Sequence, residues 1–209
     1  MRQRGDAHRT MRHQLCAAGY RPDDVSDIVV SRFHKQHSGG LHDFPTAKVH
    51  ALPAAAMLGP EQLKRLLPDP ARLTIPQGAA NRKFGFNTYP IEFETLELSL
   101  VDLPSESPFH QGVLLPFGDG KLFHVGTAIS GLDELDSEPT FGRDAWGVLT
   151  NDRPFSRLQT RLRLRSLYRN SQTNLTFVSS IGETHLLNAT CRVNLPVLEP
   201  SELGTRSFG

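Results

Sequence analysis

The sequence predicts a mixed α/β domain, and three observations carry that reading. DIVV at 27–30 is short, apolar and β-branched, the pattern of a parallel-type strand buried on both faces. Apolar residues at helical spacing stand on either side of it, bounded by glycine and proline at 19, 59 and 68. Gly118-Asp119-Gly120 separates apolar runs at 112–117 and 121–125, as the tight turn of a hairpin does.

Taken in order, Met11, Leu15 and Ala18 form one helical stripe, and Gly19 ends it as a C-terminal cap. The 27–30 strand follows. A loop at 31–40 leaves its carboxyl end, where open α/β sheets place their ligands. A second short strand is expected at 48–51. The next helix starts at Gly59-Pro60, carries Leu63, Leu66 and Leu67, and stops at Pro68. Residues 68–83 read as loop. Between 91 and 101 Ile91 and Phe93 are out of phase with Leu96, Leu98 and Leu100, which predicts a bulge near Thr95. Asp152 and Pro154 would open a helix carrying Phe155, Leu158 and Leu162, although 161–165 also alternates like a strand; both readings stay open. A last strand is expected at 175–179.

The chain has 209 residues, 38% hydrophobic and 22% charged, which suits one globular domain over 1–209 with irregular tails at 1–10 and 197–209. A net charge of +1 supplies no field to attract nucleic acid or an anionic membrane, so the expected partner is a small molecule. No apolar window has the length of a bilayer span. Cys16 and Cys191 lie far apart with no apolar leader ahead of them, so the expectation is a cytoplasmic protein without a disulfide. Oligomeric state is not readable.

Four of the nine histidines, His34, His37, His42 and His50, fall between positions 34 and 50. Spacing alone allows His34 and His37 to meet on one ion, but solvated loop histidines are the commoner outcome. Their surroundings say more. VVSRFHKQHSGGL at 29–41 resembles the signature of the metallo-β-lactamase superfamily, in which a buried strand leads into Thr-His-x-His-x-Asp-His-x-Gly-Gly. Ser31 matches the leading Thr, His34 the second His, His37 the last His and Gly39-Gly40 the glycine pair. Ser107-Pro108-Phe109-His110 is similar to the family's Thr-Pro-Gly-His turn, and FHVGTA at 123–128 to its Gly-Asp-Ala strand end.

The resemblance implies an αββα sandwich like that of lactonases and other small-molecule hydrolases. It is partial, because only thirty residues precede Ser31 and the opening strands have no counterpart. It implies a metal site of His34, His37 and His110 holding one Zn²⁺, or none. Arg32, Gln36 and Thr127 stand at lost ligand positions, where they would face substrate or an anion, and Ile181 or a neighbour replaces the last histidine. His124 and His185 are possible substitute ligands, although a solvent-facing hairpin position is the plainer expectation for His124. No catalytic residue is assigned.

Arg32 is the most damaging change, because a guanidinium does not lose its proton. Repulsion from an ion at about 4 Å is roughly 4 kcal/mol at an effective dielectric near 20. Two functions follow. One is hydrolysis of a lactone, thioester or small ester by metal-bound hydroxide. The other is a catalytically inactive binding module with a cationic Arg/His pocket for an anion. Arg157, Arg161, Arg163, Arg165 and Arg169 read as the solvated face of an amphipathic element. Ser130 lacks the turn that activates a nucleophilic serine.

Overall fold

Three short runs rich in β-formers, β1 (Asp27–Val29), β2 (Lys48–His50) and β3 (Leu73–Thr74), pair in parallel in that order. Parallel pairing needs a crossover between successive strands. The first holds α2 (Lys35–Ser38) and a 3₁₀ turn over Gly39–Asp43, the second α3 (Pro60–Leu66), and α1 (Met11–Ala17) precedes β1. The computed structural model describes residues 10–93, 96–105, 107, 109–136, 154–170 and 174–180.

The second sheet has six strands in chain order: β4 (Asn81–Lys83), β5 (Phe86–Glu92), β6 (Glu97–Asp102), β7 (Gln111–Phe117), β8 (Gly120–His124) and β9 (Leu175–Val178). All its pairings are antiparallel except β8 with β9. Between β8 and β9 come α4 (Asp133–Asp136) and α5 (Pro154–Arg169).

Alternation along β6 and β7 sends successive side chains to opposite faces. Leu98, Leu100, Val113 and Leu115 meet Val29 and Leu52 between the sheets. Val101, Leu114 and Phe123 face the other way and pack with Leu132, Leu135 and Leu164 of the outer helical layer. Behind the first sheet, Val30, Val49 and Ala51 pack against Leu66 and Leu67. The order of layers is helix, sheet, sheet, helix, the αββα sandwich the resemblance implied. Among the described residues no helix is long and apolar enough to cross a membrane.

Several elements differ from expectation. β1 is only half-buried because it is an edge strand, paired on one side by β2. The 31–40 loop contains α2 and the start of the 3₁₀ turn, and the 68–83 loop contains β3 and β4. The phase break at 91–101 is a strand reversal and not a bulge, since Ile91 pairs with Leu98 and Glu92 with Glu97. The hairpin at Gly118-Asp119 is as expected, with Phe117 opposite Gly120 and Gly118 at φ 60°. Residues 154–169 are helical. Its arginines are not a solvated face: Arg161 pairs with the buried Glu134 at 2.5 Å, Arg165 and Arg169 donate to the carbonyls of Glu134 and Asp136, and Arg163 lies over Phe86. Asp152 and the 181–209 tail lie outside the described residues.

Candidate functional site at the mouth of the first sheet

Where β1 ends, the chain turns across to the second sheet. Arg32 forms an isolated antiparallel bridge with His110, and the Gln111 amide donates to the Ser31 carbonyl at 2.8 Å. This crossing sets Ser31, Arg32, His110, Gly126 and Thr127 at one mouth. The first turn of α2 adds His37, whose Nδ1 lies 3.3 Å from Ser31 Oγ.

His110 is fully buried. Its Nε2 receives the Thr127 backbone N–H at 3.1 Å, and an amide can only donate, so Nε2 carries the lone pair. The proton is therefore on Nδ1, which donates to the Leu103 carbonyl at 3.1 Å. Burial pushes this imidazole down to about 4; the Leu103 bond opposes that, and the charges of Arg32, His37 and His124 add to it. Gly126 makes the approach possible. Its φ is +58°, and a Cβ there would stand 2.8 Å from His110 Nε2.

His37 is likewise held below the ordinary histidine range, by burial and then by the charges of Arg32 and His34. The Arg32 charge therefore acts on both rings. His34 faces elsewhere. It is exposed and lines a surface pocket of about 530 Å³ with Phe33, Lys35 and Arg65, its ring centroid 6.4 Å from that of His37. His124 does not stand in open solvent as expected: it is half-buried, burial lowers its pKa, and its charge reaches His110.

These residues do not fit an ion as they are arranged. A metal needs an imidazole lone pair, and His110 has given its own to Thr127 N–H. The position opposite holds Arg32, a fixed cation. Among the described residues no group of three His, Cys, Asp or Glu side chains is placed to hold a metal. The side chain of Gln36, on α2, and all of Ile181 and His185 lie outside the described residues.

The layered scaffold itself is shared with solved structures. An N-acyl homoserine lactone hydrolase described as quorum-quenching superposes with a TM-score of 0.58 at 19% identity, covering 90% of this chain and 69% of that one. A metallo-β-lactamase of Cronobacter sakazakii superposes with a TM-score of 0.50 at 18% identity, covering 80% and 63%. The chain has a metallo-β-lactamase fold. In sequence it is 28% identical over 138 residues to a probable metallo-hydrolase of Mycobacterium tuberculosis, covering 61% of this chain. The match spans 44% of that curated relative's length. No protein-family model matches the metallo-β-lactamase-fold chain.

One residue that organises the mouth has no counterpart in the sequence reading. Gln111 is buried, and its side chain accepts from Leu52 N–H at 2.7 Å and donates to the carbonyls of Val30 (2.7 Å) and His50 (3.1 Å). It thereby ties β7 to the ends of β1 and β2. Its one sequence signal is adjacency to His110.

Proposed function

We propose that this metallo-β-lactamase-fold chain is a binding module that takes a small carboxylate or phosphate at its mouth, through Arg32 with His37 and Ser31 beside it. The observation that carries the reading is that His110 is bonded at both ring nitrogens while the Arg32 charge acts on the same pocket. A guanidinium presents paired N–H donors that match either anion, and partial burial strengthens the interaction over one in bulk water. Ser31 Oγ offers a further donor, and Thr127 Oγ1 is buried with no hydrogen-bond partner among the described residues, so an anion oxygen would satisfy it. Arg32, Thr127 and Gln36 are the ligand-facing set in this reading.

The test is calorimetric titration with inorganic phosphate and with acetate. Arg32→Ala should weaken binding about tenfold or more, near 1.4 kcal/mol. Equal affinity in the variant would end the proposal.

A second reading is favoured by the relatives: a zinc-dependent hydrolase of a small lactone, thioester or ester, with one ion on His34, His37 and His110 and with His124 or His185 as substitute ligands. It requires Thr127 N–H to release His110 Nε2 and His34 to swing inward. Metal content after purification separates the two readings. The binding module carries less than about a tenth of an equivalent of zinc, whereas near-stoichiometric zinc that is lost in His34→Ala would support the hydrolase.

A further inference from the structure

Between the sheets, from the start of β1 across to the last residues of β2 and β3, lies a second cavity, whose Asp27 is four residues along the chain from Ser31, roughly 13 Å at strand rise. Its volume is about 640 Å³, within the roughly 300–1,000 Å³ of small-molecule sites. Ser26, Asp27, Lys48, His50 and Thr74 line it from the first sheet, and Glu92 and Phe93 from the second.

The floor is a buried polar pair. His50 is 5% exposed, and its Nε2 bonds Asp27 Oδ1 at 2.6 Å. The Phe93 ring meets the imidazole edge-on at 5.5 Å between centroids. Thr74 stands beside His50 in register, and Lys48 beside Asp27. Burial would raise the Asp27 carboxyl, but the His50 and Ser26 hydrogen bonds and the charges of His50 and Lys48 hold it below the ordinary value. Asp27 is thus a carboxylate already committed to His50. A polar pair of this kind contributes little net stability against an apolar replacement, so the surrounding apolar core gives no reason for it.

The rim holds two further charges, of which Lys48 also acts on Asp27. Lys48 and Glu92 are both exposed and stand on opposite walls, one from each sheet. Glu92 has no ion-pair partner among the described residues, and it pairs across the hairpin with another exposed acid, Glu97. Like charges directly opposite in an antiparallel pair repel, and a cationic group placed there relieves them.

We infer that this cavity binds a small zwitterion of the amino-acid class, its carboxylate on Lys48, its ammonium on Glu92 and its polar side chain over the Asp27–His50–Thr74 floor. One cation and one anion across a cavity select a ligand with both ends charged; a simple anion meets Glu92, and a simple amine meets Lys48. This site is separate from the Arg32 mouth and does not depend on what binds there.

The experiment is calorimetric titration of the full chain with L-serine, L-lactate and ethanolamine. Serine should bind saturably and at least about tenfold more tightly than either single-charge analogue. Lys48→Gln and Glu92→Gln should each weaken serine binding about tenfold. Both side chains are exposed, so circular dichroism should show the same fold in the variants. No saturable heat up to about 50 mM serine, equal affinity in both variants, or equal binding of lactate or ethanolamine would each overturn the inference.

Discussion

At His110 the position of one proton decides what the mouth can do. The Ser-Pro-Phe-His turn marked this histidine in the sequence, and the structure places it at the crossing of the two sheets. Its tautomer was not legible, because that depends on a backbone amide seventeen residues away, donated by a position whose side chain suggested only a lost carboxylate. The consequence is measurable. Its folded pKa, about 4, lies below the 6.5 of an ordinary histidine, so its contribution to stability is complete above pH 6.5 and declines as the pH falls toward 4. The loss amounts to about 3 kcal/mol across that window. Urea unfolding at pH 7.5 and 4.5 should show it, and the His110 imidazole resonances should stay unchanged down to about pH 5. A midpoint above pH 6 would contradict the two hydrogen bonds. His34, which matches the motif by position, instead lines a surface pocket just ahead of a short helix that the Gly-Gly ending disguised as loop.

Among the elements, those with apolar β-branched character or strong punctuation were readable, β1 and β2 included, and brief polar ones were not. The glycine turn between β7 and β8 and the Gly-Pro start of α3 each rest on one local rule, and both are where that rule put them. β3 spans two residues and β4 three, too few for any period to register. The arginines of α5 misled for another reason. Their partners, Glu134, the carbonyl of Asp136 and the Phe86 ring, come from distant sequence, so a row that looked solvated instead fastens α4. Gln111 does the same between sheets. Gln111→Ala should leave Leu52 N–H and the Val30 and His50 carbonyls buried without those partners. At about 1–3 kcal/mol per group, partly recovered by relaxation, the expected loss is roughly 3 kcal/mol or more in chemical denaturation. A loss under about 1 kcal/mol would mean water replaces the amide.

For the molecule as a whole, the two-sheet sandwich was legible only through the motif resemblance, since no local pattern says that a three-stranded parallel sheet packs on a six-stranded one. Among the described residues that arrangement leaves β1 as an edge strand with half-buried Ile28 and Val29. Edge strands of this kind pair with other chains unless a charge interrupts them. Purified protein should therefore self-associate with rising concentration, and Ile28→Lys should shift it to the smaller species in light scattering coupled to gel filtration. Identical profiles for the two proteins would show the edge to be inert. The His110 fastening has a wider consequence. At His110 the mouth is closed by a peptide hydrogen, from Thr127, and a carbonyl oxygen, that of Leu103. If the binding-module proposal holds, that closure is complete without an ion, and prolonged dialysis against a chelator should leave the melting temperature where it was.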